Sequence, residues 1–121
     1  MPKILIIDDD NQFRKMLCQT LEKAGYTVSE AVNGTKGVDF FKKESADLVI
    51  TDILMPDKEG IETIMEIRRM APDIKIIAIS GGGRIGSDSY LDLARKLGAI
   101  ETFSKPIDRK KLVAVLDNVL A

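Results

Sequence analysis

The chain has 121 residues, 45% of them hydrophobic, which fits one domain with its own core rather than a disordered segment. Its 18 basic residues against 19 acidic ones leave a net charge of −1, a poor match to the basic surface that nucleic acids select. No apolar run is long enough to span a bilayer, Cys18 has no intrachain partner, and the absence of histidine excludes His-based catalysis and His-ligated metals.

The first strand is expected at Lys3–Ile7, and it runs straight into Asp8-Asp9-Asp10. That acidic ending rules out a secretory signal, and with the lone thiol it places the chain in a reducing cytoplasm. Next, Phe13, Met16, Leu17, Leu21 and Ala24 follow a helical stripe, with Asn11 expected as its cap and Gly25 as its stop. A strand at Tyr26–Glu30 precedes a helix near Thr35–Lys43, with Val38 and Phe41 facing inward. The strand at Leu48–Thr51 ends in Asp52, and a helix near Glu59–Met70 follows, with Ile61, Ile64 and Met65 inward and Pro72 beyond it. Lys75–Ile79 forms the fourth strand and ends in Ser80; the helix after it runs from near Ser87 to Gly98. The fifth strand, Ile100–Phe103, leads to Lys105-Pro106, and a last helix begins at the cap Asp108 with Leu112, Val113, Leu116 and Leu120 inward.

Five β-then-α units in succession imply an open parallel five-stranded sheet with helices on both faces, in the flavodoxin-like order 2-1-3-4-5. The first, third and fourth strands are nearly all apolar, as strands covered on both faces require. In such sheets ligands bind outside the carboxyl ends of the strands. Four of those ends carry a carboxylate, a hydroxyl or an ammonium: Asp8-Asp9-Asp10, Asp52, Ser80 and Lys105. The second strand, expected at the edge, carries none. Three carboxylates brought together resist ionisation unless a cation intervenes, and carboxylate with water is the coordination Mg²⁺ prefers. Lys105 supplies a flexible point charge for a phosphate oxygen, and Ser80 a hydroxyl donor. A carboxylate left free in such a site can attack phosphorus to give an aspartyl-phosphate.

These segments, taken in order, resemble the response regulator receiver domain of two-component signalling. The resemblance rests on Ile4 through Asp10, Asp47 through Asp57, Ile76 through Gly81, and Gly98-Ala99 through Ser104-Lys105-Pro106, and it covers essentially the whole chain. It implies Asp52 as phosphoacceptor and Mg²⁺ held by Asp9 directly, by Asp8 largely through water, by Asp52 and by the Leu54 carbonyl. It implies Ser80 as switch hydroxyl, Lys105 as phosphate-binding lysine and a cis bond at Lys105-Pro106. The expected donor is a histidine kinase or a phosphotransfer protein. The chain would catalyse its own phosphorylation and dephosphorylation and would not act as a conventional enzyme. Residues 1–121 would form one receiver domain without an output domain, so signalling would pass through an unnamed partner protein, with no role for nucleic acid or membrane.

One position departs from the family pattern. Where a switch aromatic is usual stands Thr102, and strand alternation turns Phe103 to the opposite face. A switching motion would then pass through Gly81-Gly82-Gly83 toward the helix carrying Tyr90 and Leu91. Gly81 to Gly86 also spells G-x-G-x-x-G, but it follows the fourth strand, and a rim of aspartates would repel a pyrophosphate. A haloacid-dehalogenase-like phosphatase would need a second Asp at position 54, where Leu stands, together with a cap insertion. A flavin-binding protein of this fold would need hydroxyls where Asp8-Asp9-Asp10 stands. A phosphorylation-independent scaffold stays open as an alternative; its sign would be a lost acceptor or metal ligand, and none is lost here.

Overall fold

A computed structural model describes residues 2–53, 59–81 and 87–121. Among these residues five strands alternate with five helices: β1 (Lys3–Ile7), α1 (Asn11–Lys23), β2 (Thr27–Ala31), α2 (Gly34–Lys43), β3 (Leu48–Asp52), α3 (Glu59–Met70), β4 (Lys75–Ser80), α4 (Ser87–Lys96), β5 (Glu101–Ser104) and α5 (Arg109–Val119). All four strand pairings are parallel and the order is β2-β1-β3-β4-β5, as the succession of βα units requires.

Strand alternation divides the core in two. Ile4, Ile6, Leu48, Ile50, Ile77, Ile79 and Phe103 pack against Leu17, Cys18 and Leu21 of α1 and Leu112 and Leu116 of α5. Leu5, Ile7, Val49, Ile76 and Ala78 face the other way, against Val38, Ile61, Ile64, Ile67 and Ala94 of α2, α3 and α4. A strand buried on both faces has no polar side to alternate with, which explains the unbroken apolar runs of β1, β3 and β4.

Several details differ from the sequence expectations. Asp10, rather than Asn11, caps α1: its backbone is extended and its side chain accepts from the Phe13 N–H. The Asn11 backbone is already helical, and its side-chain oxygen accepts from Arg14 instead. The α1 stripe includes Arg14 in place of Ala24, which is exposed. On α3, Met65 points outward and Ile67 fills the core position. The second and fifth strands each begin one residue later than expected, leaving Ile100 exposed. Gly25 does end α1, at φ +99°, a conformation that costs glycine little. Asp108 caps α5 by accepting from the Lys111 N–H.

Candidate functional site

Sheet register gathers the site. Ile7 lies beside Thr51, so the next residues along, Asp8 and Asp52, emerge together from the two central strands. Asp52 has the parity of Leu48 and Ile50, and therefore faces the α1 and α5 side. Asp8 and Asp52 are buried, whereas Asp9 is exposed. One oxygen from each of the three carboxylates lies within 4.8 Å of the others.

Lys105 closes the group. Its Nζ donates to Asp52 Oδ2 at 3.1 Å and stands 3.1 Å from Asp8 Oδ2. The Lys105 backbone N–H donates to the Ser80 carbonyl at 2.8 Å, which ties the end of β4 to the segment after β5. The Lys105-Pro106 bond is cis, as the resemblance implies. Lys105 Nζ also lies 4.2 Å from the centre of the Phe13 ring, within cation–π reach. Phe13 is half-buried at the edge of the core and so combines core packing with a contact to the site.

The electrostatics follow from burial and crowding. Desolvation pushes the Asp8 carboxyl up to about 6, with the neighbouring Asp52 charge adding to the rise; the Asp10 N–H and Lys105 oppose it. Burial works against the Lys105 charge, but Asp52 and Asp8 outweigh it and the net direction is upward, so the ammonium persists at neutral pH. The Asp10 N–H holds Asp8 Oδ1 at 2.9 Å, which aims Asp8 Oδ2 into the cluster. Asp8 Oδ2 is fully buried and has no hydrogen-bond partner among the described residues. Its contact with Lys105 has ion-pair distance without hydrogen-bond alignment. Three carboxylates and one ammonium leave a formal charge of −3 + 1 = −2. A buried carboxylate oxygen that must share one ammonium with Asp52, in an all-oxygen acidic cluster of that charge, suits a hard divalent cation.

Ser80 is buried at the end of β4, and among the described residues its hydroxyl donates to its neighbour's carbonyl, Gly81 O, at 3.5 Å. It shares the parity of Ile76 and Ala78, toward α4. Thr102, paired with Ala78, is half-buried, and its Oγ1 accepts from Arg95 Nη2 of α4 at 2.6 Å. Phe103 lies in the opposite core against Leu112, as alternation requires. Leu54, Met55, Pro56 and Asp57, and the glycine run beyond Gly81, lie outside the described residues, as do the side chains of Tyr90 and Leu91. Burial and the nearby Glu30 push the Cys18 thiol up to about 12, which removes it as a nucleophile.

Residues 4–117 match the family model for the response regulator receiver domain. The chain belongs to the response regulator receiver domain family. This receiver domain is 37% identical over 118 residues to the chemotaxis protein CheY of Thermotoga maritima, covering 97% of this chain and 96% of that one. It is 34% identical over 120 residues to the response regulator receiver protein CpdR of Brucella abortus, covering 99% and 98%. Among solved structures, a CheY-like receiver domain protein from Methanospirillum hungatei superposes with a TM-score of 0.89 at 28% identity, covering 99% of this chain and 94% of that one. A receiver domain from Clostridium thermocellum superposes at 0.87 with 33% identity, covering 98% and 93%. Membership makes the protein a response regulator of two-component signalling, a phosphoacceptor switch. No described helix is long and apolar enough to cross a membrane.

Arg14 and Glu30 were missed by sequence reasoning. Arg14 is buried, donates to the Asp8 carbonyl and pairs with Glu30 of β2. The available signal was a cation on an apolar stripe, three and seven residues before Leu17 and Leu21.

Proposed function

We propose that Asp52 is the phosphoacceptor of this receiver domain and that Asp8 and Asp9, with Asp52, hold a Mg²⁺ ion beside it. The observation that carries this reading is the placement of Lys105 Nζ 3.1 Å from both Asp52 Oδ2 and Asp8 Oδ2, at the mouth of the acidic cluster. A bound divalent ion would neutralise charge on the phosphoryl oxygens. The donor is a phosphohistidine on a kinase or a phosphotransfer protein. An Asp52 carboxylate oxygen attacks phosphorus, the P–N bond breaks as the P–O bond forms, and the departing imidazole keeps the ring electron pair and takes a proton from solvent. Lys105 meets the negative charge on one phosphoryl oxygen without giving up its own proton. Water later cleaves the acyl-phosphate, so the domain resets itself. Leu54 is proposed to add its backbone carbonyl to the metal. The reading places the protein in the cytoplasm, where such donors reside, with a further protein as its target.

Acetyl phosphate with Mg²⁺ is expected to add one phosphoryl group labile to hydroxylamine, located by mass spectrometry at Asp52 and lost in Asp52→Asn. A label on Ser80, or an unlabelled wild type, would sink the assignment.

The readout is proposed to run along the α4-facing parity of the sheet. Ser80 and Thr102 both belong to that side, and Ser80 would turn its hydroxyl toward the phosphoryl oxygens for a charge-assisted bond. Thr102 is too small to fill the space Ser80 leaves, so the motion passes through the backbone after Ser80. Beryllofluoride is expected to shift amide NMR signals most between Ser80 and Leu91, and Thr102→Ala should preserve that pattern. Dominant shifts around Thr102, or their loss in Thr102→Ala, would move the readout to β5.

A further inference from the structure

Arg14 sits one turn into α1, 5% exposed, among the apolar residues that cover the sheet. A guanidinium in that setting is tolerated only when its donors are met. Nε donates to Glu30 Oε1 at 2.8 Å, Nη1 to the Asp8 carbonyl at 2.8 Å and Nη2 to Asn11 Oδ1 at 2.7 Å. The acceptors come from the end of β2, the turn after β1 and the start of α1. The Asp8 carbonyl belongs to the peptide unit that joins Asp8 to Asp9. That unit is planar, so holding its oxygen fixes the direction in which the chain leaves for Asp9. The other side of Asp8 is held as well: its N–H donates to the Ala31 carbonyl at 3.1 Å.

We propose that Arg14 is a positioning residue for the acidic pair, its fork clamping the Asp8–Asp9 peptide against Glu30 so that both carboxylates meet a divalent cation in fixed geometry. The proposal rests on the reading of Asp8 and Asp9 as metal ligands. It explains why an arginine occupies this place: three acceptors in three directions match a rigid guanidinium, and a lysine ammonium at the same helix position cannot hold all three in plane. It also gives β2 a part in the site, through Glu30.

Charge and positioning predict opposite signs. A cation near the cluster repels Mg²⁺, so if Arg14 acted only through its charge, Arg14→Met would bind Mg²⁺ more tightly. Loss of positioning weakens binding, as loss of a group that orients metal ligands does, by about tenfold or more.

The test is the Mg²⁺ dissociation constant of the folded protein, read from amide NMR shifts without a phosphodonor. Arg14→Met and Arg14→Lys are both expected to weaken binding about tenfold. Glu30→Gln, which keeps an acceptor for Nε, should stay near wild type, and Glu30→Ala should fall between. Leu116→Ala, a destabilising change in the α5 core, should leave the constant unchanged in the folded fraction, which separates positioning from lost stability. If Arg14→Met does not fold, Arg14→Lys and Glu30→Ala decide. Binding within twofold of wild type in the folded Arg14 variants, or tighter binding, overturns the positioning role while leaving the metal site intact. A wild type that takes up no Mg²⁺, or an Asp9→Ala variant with undiminished affinity, overturns the metal reading and the proposal with it.

Discussion

In metal-free buffer at pH 7.5, Asp8→Asn is expected to be more stable than the wild type by roughly 2–3 kcal/mol. The cause is the buried carboxylate, whose folded-state value is raised from 3.8 to about 6, mainly by desolvation and further by Asp52. An acid with a raised folded-state value keeps its proton in the folded chain after the unfolded chain has released it. The stability this confers is fully present below about pH 4 and is lost as pH rises through about 6. Above that, the wild type carries a desolvated, crowded carboxylate that the asparagine variant lacks. Urea unfolding in EDTA at pH 4.5 and pH 7.5 should therefore show a gap between the two proteins that widens at the higher pH. Mg²⁺ at 10 to 100 times its dissociation constant should return about 1.4–2.7 kcal/mol to the wild type. It should return much less to Asp9→Ala. Equal stability of wild type and Asp8→Asn at pH 7.5 in EDTA would mean that the ionised Asp8 carboxylate bears no cost from desolvation or from Asp52. An equal Mg²⁺ response in Asp9→Ala would place the ion elsewhere.

Gly60→Ala is expected to destabilise the protein by about 3 kcal/mol, the upper part of the range for overpacking. Gly60 is buried in the first turn of α3, against the segment that carries Asp52. A Cβ there would fall 2.6 Å from the Asp52 carbonyl oxygen and 2.8 Å from the Ile53 carbonyl carbon, and would overlap the Ile53 Cα. These are backbone atoms and cannot turn aside, so either α3 retreats or the Asp52–Ile53 peptide moves. Alanine's better helix propensity, worth about 1 kcal/mol, is too small to offset this. Gly37→Ala provides the contrast. The atoms nearest its Cβ would all belong to the Ile7 side chain, with Cγ1 at 2.9 Å, and that chain can shift, so a loss of about 1 kcal/mol is expected. Denaturant midpoints of the two variants test the difference. A Gly60→Ala protein as stable as wild type would show that the close approach of α3 to β3 is not a constraint. The same variant should also phosphorylate slowly at Asp52, because the displaced peptide carries that carboxylate.

Much of this was legible in the residue order. Apolar runs of β-branched residues marked β1, β3 and β4 because both faces of those strands are covered. Helical periodicity placed all five helices to within a residue or two. Asp8, Asp52, Ser80 and Lys105 could be placed on the rim from their positions at or just after strand ends, since parallel strands deliver their carboxyl ends to one rim. The errors have local causes. Asn11 and Asp10 are both good caps, and nothing in sequence decides between neighbours. Met65 and Ile67 both suit a helical stripe, and only the packing of α3 against the sheet sets which one turns inward.

What the sequence determined by itself is therefore the class of fold, the sheet order and the set of groups at its rim, because periodicity and strand-end position are properties of the chain taken locally. What the tertiary structure alone decided is how those groups are held. Arg14 reads as an ordinary helix arginine until Asp8, Asn11 and Glu30 are brought around it. Gly60 reads as an unremarkable helix glycine until the Asp52 carbonyl lies against it. The raised Asp8 carboxyl likewise exists only once burial removes its water and Asp52 stands beside it. Each depends on how separate elements of the fold approach one another, and desolvation and close contact are set by that approach, which the pattern within one element does not encode.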